Sequence, residues 1–155
     1  MDGNLPTFNY TDIVSRDPSV LQSLRHPCHN TGFFYLRCPE LTAGRLKTMF
    51  EQTRNFFALP AAEKNAIHLS LSKHFRGYSV LNEEETQGIP DHKETLDLGL
   101  EYPPSDSETD YHILRGPNQW PEHCPHFREA CESYLEQLCR IGENLVKSLA
   151  LCLGL

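Results

Sequence analysis

Two histidines and one carboxylate are the residues of this sequence best suited to hold a catalytic metal. His92 and Glu94 are separated by one residue, and His123 or His126 follows further along. Such a set resembles the facial triad that binds non-haem Fe(II) and leaves positions open for O2 and substrate. However, Lys93 offers Glu94 a nearby partner, the later histidines lie in a proline-broken stretch, and no Arg-x-Ser follows. We therefore interpret Glu94 as a solvated or paired carboxylate, with the metal site as the alternative.

Two short clusters, His26–His29 and His123–His126, each combine two histidines with one cysteine. A structural zinc site needs four tetrahedral ligands, and a proline within each cluster keeps neighbouring side chains off one helical face. The six cysteines include no CxxC pair, and no signal peptide is evident, which favours reduced and mostly buried thiols. We therefore assign no metal ligand and no catalytic residue from these clusters.

The element that would position polar chemistry is a predicted strand over residues 94–100. Successive side chains of a strand point to opposite faces. One face carries Leu96, Leu98 and Leu100, and the other carries Thr95, Asp97 and Gly99. Because Asp is a poor strand former, the second face should meet either water or a polar cavity.

The remaining pattern predicts one domain in which helices outnumber strands. Residues 5–14 form an extended entry segment, and Asp17 caps a helix that frays near His26-Pro27. Residues 32–36 are apolar on both faces, which is typical of a buried internal strand. An exposed acidic loop covers residues 81–92, and an irregular connector covers residues 103–123.

Three further helices are predicted. Thr42 caps a helix whose apolar face should include Leu46, Met49, Phe50, Thr53, Phe56 and Phe57. A short helix starts at Pro60, and a long amphipathic one runs from Phe127 to Cys152. The end of the long helix, residues 145–155, is apolar nearly all round, so we expect a chain cut in mid-fold whose missing part would cover it.

The bulk composition excludes several functions. A length of 155 residues with 39% apolar side chains suits one globular domain, and a net charge of −7 argues against a nucleic-acid surface. No apolar run reaches membrane-spanning length, and Met1–Asn4 lacks the features of a signal peptide. We therefore expect a cytoplasmic protein without nucleic-acid or membrane partners.

Six pieces of the sequence, in order, resemble one known family. They are Gly32–Leu36, Phe56–Lys64, Arg76–Tyr78, Asp91–Glu94, Asn118–Pro121 and Leu149–Leu155. Together they are similar to the N-terminal region of the isopenicillin N synthase-like 2-oxoglutarate/Fe(II)-dependent dioxygenases. The resemblance implies an α+β fold over residues 1–155, helix-rich, with a few strands that would join a double-stranded β-helix (jelly-roll) barrel.

The resemblance also implies an activity and a site. It implies oxidation of a small molecule by O2 with Fe(II) and 2-oxoglutarate, held by His-x-Asp, a distal His and Arg-x-Ser in a C-terminal half with no counterpart in this sequence. We therefore expect this chain alone to bind neither cofactor. The strand after the Lys-Glu pair often faces the substrate pocket in the family, which implies substrate contact by Thr95, Asp97, Lys93, Arg76 and Tyr78. The structural alternatives are a core position for Tyr78, an ion pair of Arg76 with one of Glu83–Glu85, and an Asp97 that faces water.

A different class of function is the alternative. An inactive relative of the dioxygenases could act as an interaction domain that docks or self-associates through its apolar C-terminal helix. A weaker third hypothesis is a metalloenzyme built on His92, Glu94 and His126.

Overall fold

The computed structural model describes residues 5–104 and 113–155. Residues 1–4, whose composition entered the prediction about signal peptides, and residues 105–112 of the predicted connector lie outside that part. The described chain is α+β, with five α-helices, one 3-10 helix (Leu69–Leu71) and six short strands. It divides into two compact units, one formed by Met1–Leu46 with Gln137–Leu155 and the other by Lys47–Glu136.

The first unit holds β1 (Thr7–Asn9), α1 (Tyr10–Ser15), α2 (Pro18–Asn30) and β2 (Tyr35–Arg37). β1 and β2 pair in parallel, with Thr7 opposite Tyr35. The core of this unit consists of Ile13, Leu24 and Cys152, and Phe8 meets Phe34 edge to face on its margin.

Polar side chains of the last helix tie it into this first unit. Asn144 Nδ2 donates to Tyr10 Oη at 2.9 Å, and Ser148 Oγ donates to the carbonyl of Ile13 at 3.1 Å. Ser148 is fully buried, so this bond satisfies a hydroxyl that would otherwise lose its hydration.

The second unit holds α4 (Ala61–Asn65), β3 (Gly77–Ser79), β4 (Glu85–Thr86), β5 (Ile89–Pro90) and β6 (Thr95–Asp97). Two long helices, α3 (Ala43–Phe57) and α5 (Pro125–Cys152), contribute residues to both units. The core of the second unit is aromatic: Phe56 stacks on Phe127 with ring centroids 5.1 Å apart, and Ile67, Tyr78 and Cys131 complete the cluster.

Several predictions from the sequence are confirmed. The Asp17 carboxylate accepts from Ser19 N at 2.8 Å at the start of α2, and Thr42 Oγ1 accepts from Arg45 N at 3.2 Å at the start of α3. The acidic loop is exposed, and β4 and β5 form a hairpin within it. The long helix α5 ends at Cys152, as its apolar stripe predicts.

The predicted ends of two elements near the N-terminus were wrong. The entry segment is extended only as far as Asn9, because Tyr10 and Ile13 turn into the core on one face of α1. α2 does not fray at His26-Pro27 but continues to Asn30. Pro27 is buried, and its carbonyl accepts from the amides of Thr31 and Gly32, so the last turn is satisfied beyond the proline.

Three predictions about burial were also wrong. Residues 32–36 do not form an internal strand: in the described residues β2 pairs only with β1, and Phe33 and Tyr35 are 70% and 61% exposed. Phe50 is exposed because it lies at the edge of the apolar stripe of α3. Leu100 lies beyond the end of β6 and is exposed, whereas Leu96 and Leu98 do pack on the core.

Among the described residues, no helix combines the length and apolarity needed to cross a bilayer.

Candidate functional site

The candidate site lies on the two-stranded ribbon formed by β3 and β6. The strands are antiparallel, with Tyr78 opposite Leu96 and with Gly77 and Ser79 opposite Asp97 and Thr95. Residues directly opposite each other share a face of a ribbon. The pairing therefore separates an apolar face, with Tyr78, from a polar face, with Asp97 and Thr95.

Tyr78 belongs to the core rather than to the polar face. Its ring is 4% exposed and meets Phe56 edge to face, with ring centroids 6.2 Å apart. Burial raises the pKa of the Tyr78 hydroxyl, and that hydroxyl donates to Glu94 Oε2 at 2.5 Å. The structure thus places Tyr78 apart from the four other residues predicted to contact substrate.

Asp97 is the half-buried anion of the polar face. Burial raises the pKa of its carboxyl, the charge of Glu84 adds to the rise, and the charges of Arg76 and Lys93 oppose it. Four of the five predicted residues therefore surround one polar area: Thr95, Asp97, Lys93 and Arg76.

Arg76 is held in place by backbone carbonyls instead of the acidic loop. Its guanidinium donates to the carbonyls of His74, Phe75 and Leu114 at 3.3, 3.0 and 2.8 Å. A Cβ at residue 99 would overlap this group, so the guanidinium lies directly against Gly99. The structural alternative in which Arg76 pairs with a glutamate of residues 83–85 was therefore wrong.

Lys93 and Thr95 anchor the acidic loop beside this area. Lys93 Nζ lies 2.6 Å from Glu84 Oε2 and 3.2 Å from Asp91 Oδ2, and Thr95 Oγ1 donates to Glu84 Oε1 at 2.7 Å. Hydrogen bonds from Lys93 and Thr95 lower the pKa of Glu84. The loop is thereby fixed against the end of β6.

The Glu94 side chain lies on the side of Tyr78 and not on the polar face, and it forms a polar cluster with Lys64 and Tyr78. Lys64 Nζ lies 2.6 Å from Glu94 Oε2 and donates to the carbonyl of Phe57 at 3.1 Å. Although burial opposes the charge, the bond with Glu94 raises the pKa of Lys64, and hydrogen bonds from Lys64 and Tyr78 lower that of Glu94. Lys64, not Lys93 as expected, is the partner of Glu94.

The metal-site alternatives find no support in the described part of the chain, where no group of three His, Cys, Asp or Glu side chains converges. Glu94 is committed to Lys64 and Tyr78, and His92 Nδ1 lies 3.2 Å from Asn82 Oδ1. The two His-Cys clusters form no four-ligand set either. The donor set of the described residues therefore does not fit an iron or zinc ion.

Two amide side chains whose roles the sequence did not predict, those of Asn118 and Gln119, hold the ribbon together. Asn118 accepts from Gly99 N at 2.9 Å and donates to its carbonyl at 2.8 Å, which extends the pairing beyond β6. Gln119 Nε2 donates to the carbonyls of His68 and Arg76 at 3.0 and 2.7 Å. The signal available in the sequence was the run Asn118–Pro121, one of the six pieces that carry the family resemblance, although it lies within the predicted connector.

Comparison with solved structures defines the class of fold. A full-length Neurospora crassa protein in complex with alpha-KG superposes with a TM-score of 0.77 at 21% identity, over 99% of this chain and 49% of that one. A 2OG-Fe(II) oxygenase family protein from Caulobacter crescentus gives 0.73 at 21% identity, over 97% and 49%. The fold is that of about half of a jelly-roll oxygenase of the 2-oxoglutarate class.

Comparison with protein families then places the chain. The family described as "non-haem dioxygenase in morphine synthesis N-terminal" matches residues 5–123. The chain belongs to this family, which confirms the resemblance drawn from the sequence.

Curated relatives agree with this assignment. A homoarginine-6-hydroxylase of Arabidopsis thaliana is 32% identical over 87% of this chain and 41% of its own length. A 2-oxoglutarate-dependent dioxygenase of Dothideomycetidae sp. is 34% identical over 89% and 38%. A homoarginine-6-hydroxylase of Glycine max is 33% identical over 91% and 44%. The chain thus spans about two fifths of the length of these relatives.

Proposed function

We propose that this chain is the N-terminal part of an Fe(II)- and 2-oxoglutarate-dependent dioxygenase that oxidises a small molecule. The observation that carries the proposal is the family match over residues 5–123. Iron would be held by residues other than those that the structure describes, because no three metal-ligating side chains converge among them. Residues 1–155 by themselves are then expected to be inactive.

The role proposed for the polar face is to form one wall of the substrate pocket. Asp97 supplies a half-buried anion, Thr95 a hydroxyl and Lys93 an ammonium group, while Arg76 is fixed by carbonyls against Gly99. Tyr78 would act only indirectly, because it positions Glu94 at the start of β6.

The same face favours a substrate with a cationic group. Glu84 and Asp91 share Lys93, and Arg76 is engaged by carbonyls, so Asp97 is the carboxylate available for pairing. A guanidinium group matches a carboxylate in a bidentate geometry. Two of the relatives above are homoarginine-6-hydroxylases, whose substrate carries such a group. We therefore propose a basic amino acid as the first substrate to test.

The test is made on the longest product that the gene encodes, with residues 1–155 as a separate sample. Succinate release is measured with Fe(II), 2-oxoglutarate and homoarginine. We expect release from the longer protein alone. Iron-dependent release from residues 1–155 would contradict the expectation that this part alone is inactive. Absence of release from both samples would contradict homoarginine as the substrate.

A matched pair of variants tests the polar face in the active protein. Asp97→Asn should lower kcat/KM for the basic substrate about 10- to 100-fold, because a charged hydrogen bond is lost. Glu51→Gln, which removes an exposed carboxylate of α3, should leave it unchanged. Equal kcat/KM values for Asp97→Asn and the parent would remove Asp97 from the site.

The second candidate function is an interaction domain that self-associates, favoured by the exposed apolar end of α5. Val146, Leu151 and Leu153 are exposed, and Leu155 is 86% exposed. Light scattering over a concentration series should then show a dimer that Val146→Glu converts to a monomer.

The cytoplasmic location stays a prediction, which a fluorescent fusion of the whole protein tests.

A further inference from the structure

Two polar atoms that lack a hydrogen-bond partner belong to residues that line one cavity of the second unit. Glu63 Oε2 and Trp120 Nε1 are both shielded from solvent, and neither has a partner among the described residues. Unsatisfied buried polar atoms are rare in native proteins, because each has given up its hydration without a replacement. Two such atoms beside one cavity therefore need an explanation.

The cavity has the size and the mixed lining of a site for a small organic molecule. Its volume is about 400 Å³, within the range of about 300–1,000 Å³ that is usual for such sites. It is lined by the apolar residues Ala62, Ala66, Ile67 and Pro121 and by the polar or aromatic residues Glu63, Trp120, Glu122 and His123. The residues of the polar face, Asp97 and its neighbours, are not among them.

Glu63 lacks a partner because of the way in which α4 begins. It is the third residue of that helix, where a glutamate commonly accepts from the backbone N–H of the N-cap residue. The N-cap of α4 is Pro60, which has no N–H to donate. The carboxylate therefore keeps its capacity to accept a hydrogen bond from a ligand.

The Trp120 indole is held in place through its ring, while its N–H stays unpaired. The guanidinium carbon of Arg128 lies 5.5 Å from the centre of the ring, and Phe127 meets the ring edge to face with centroids 6.3 Å apart. Arg128 is itself fixed by Glu132, whose Oε1 lies 2.8 Å from its Nε. These contacts position the indole without supplying an acceptor to Nε1.

We propose that this cavity binds a small neutral molecule through a primary amide group. An ionised glutamate only accepts hydrogen bonds, whereas an indole N–H only donates. A primary amide carries both complements, since its NH2 group donates to Glu63 and its carbonyl oxygen accepts from Trp120. Because both protein atoms are shielded, the entering ligand must rotate these side chains slightly, and the two new hydrogen bonds offset that cost.

The charges at the cavity disfavour other classes of ligand. Glu63 and Glu122 are both acidic, so they repel a carboxylate or a phosphate. An ammonium or guanidinium group pairs with Glu63 but offers no acceptor to Trp120. A hydroxyl group both donates and accepts, and the experiment has to distinguish it from an amide.

Trp120 is the one tryptophan in residues 1–155, so its indole N–H reports directly on the cavity. The experiment uses the longest product that the gene encodes, labelled with 15N-tryptophan, and a Trp120→Phe sample identifies the Trp120 signal. Benzamide is the probe, and benzoate and benzyl alcohol are controls with the same ring. We expect benzamide to move the N–H proton signal downfield in a saturable way and both controls to leave it in place.

A matched pair of variants tests the partner of the amide NH2 group. Glu63→Ala should weaken benzamide binding about 10- to 100-fold, because a hydrogen bond to a charged group is lost. Alanine is a good helix former, so this variant should retain α4. Glu129→Ala removes an exposed carboxylate of α5 that does not line the cavity, and it should leave the affinity unchanged.

Three results would overturn the proposal. One is a Trp120 signal that does not respond to benzamide, as expected if water alone fills the cavity. The second is an equal response to benzoate or benzyl alcohol, which would show that the amide group is not what the cavity recognises. The third is equal benzamide affinity in Glu63→Ala and the parent. None of these measurements depends on turnover, so they leave the proposed oxygenase function to its own test.

Discussion

Glu94 is the side chain on which the polar cluster of the second unit depends. It accepts from Lys64 and from Tyr78, and the Lys64 side chain is only 10% exposed. Glu94→Gln removes the charge that compensates a buried ammonium group, so we expect a loss of roughly 1–3 kcal/mol of unfolding free energy. Urea unfolding measures this change.

Glu51→Gln is the matched control for that variant, since it breaks the exposed i,i+4 pair with Lys47 on α3. Such surface pairs contribute about 0.3–0.5 kcal/mol. Equal losses in the two variants would mean that the buried cluster does not stabilise the fold.

The Glu94 carboxylate should also make the stability of the fold depend on pH. Its folded-state pKa is lowered from the model-compound value of 4.5, chiefly by the hydrogen bond from Lys64. A lowered pKa gives stabilisation that is present above the unfolded-state value and lost as pH falls through the folded-state value. The gap between the parent and Glu94→Gln should therefore be widest near pH 7 and narrow in acid. A gap that widens below pH 4.5 would contradict this assignment.

The pH dependence of stability due to Asp97 should have the opposite sign to that due to Glu94. Burial raises its pKa, so its contribution to stability is present below the unfolded-state value and is lost as pH rises through the folded-state value. Asp97→Asn should therefore be more stable than the parent at pH 7, by roughly 0.5–1 kcal/mol, as is common where a site trades stability for function. Thermal unfolding at pH 7 checks this, and a lower midpoint for the variant would show that Asp97 is a structural anion.

The sequence predicted the polar face in part. Alternation along residues 94–100 placed Thr95 and Asp97 together, which requires only the period of a strand. It could not decide between substrate contact and a core position for Tyr78, because that depends on the register of β3 against β6. Nor could it identify Lys64 as the partner of Glu94, since the two are 30 residues apart and meet only through tertiary packing.

At the scale of elements, Gly77 decides whether β3 can form. Its φ is +133°, and a Cβ would overlap the carbonyl of Ile67 and the amide of Gln119. Gly77→Ala should therefore cost roughly 2–4 kcal/mol, since backbone strain adds to the overlap. Chemical denaturation of the purified variant measures the loss.

Gly142 provides the control on α5, where a Cβ would meet nothing within 4 Å. Gly142→Ala should raise stability by about 0.5–1 kcal/mol, because alanine favours a helix interior. If both alanine variants changed stability by the same amount and sign, steric overlap at residue 77 would not be the cause.

The helices whose starts were predicted correctly begin at capping residues that can be identified from the sequence alone. Asp17 before Pro18, and Thr42 before α3, fix helix starts through local hydrogen bonds. The predicted ends and exposures that were wrong depend on tertiary neighbours. Helix α2 continues past Pro27, which is buried, and Tyr35 is exposed on β2, which pairs only with β1 among the described strands. Local patterns contain no information about such neighbours.

At the scale of the whole molecule, the chain builds two hydrophobic cores. Phe56 is fully buried in the aromatic core of the second unit, and Leu24 is fully buried in the core of the first. Both units draw on α3 and α5, and α5 contributes residues to both cores, Cys131 to the second and Cys152 to the first. Separate cores imply that local stability can differ between the units.

Phe56→Ala and Leu24→Ala test this separation. Each deletes a fully buried side chain and should cost roughly 2–5 kcal/mol. Because each core contacts its own unit, hydrogen exchange should accelerate most over Lys47–Glu136 in Phe56→Ala, and over the residues up to Leu46 together with Gln137–Leu155 in Leu24→Ala. Exchange that accelerates equally in both units for both variants would show that the two cores unfold as one cooperative whole.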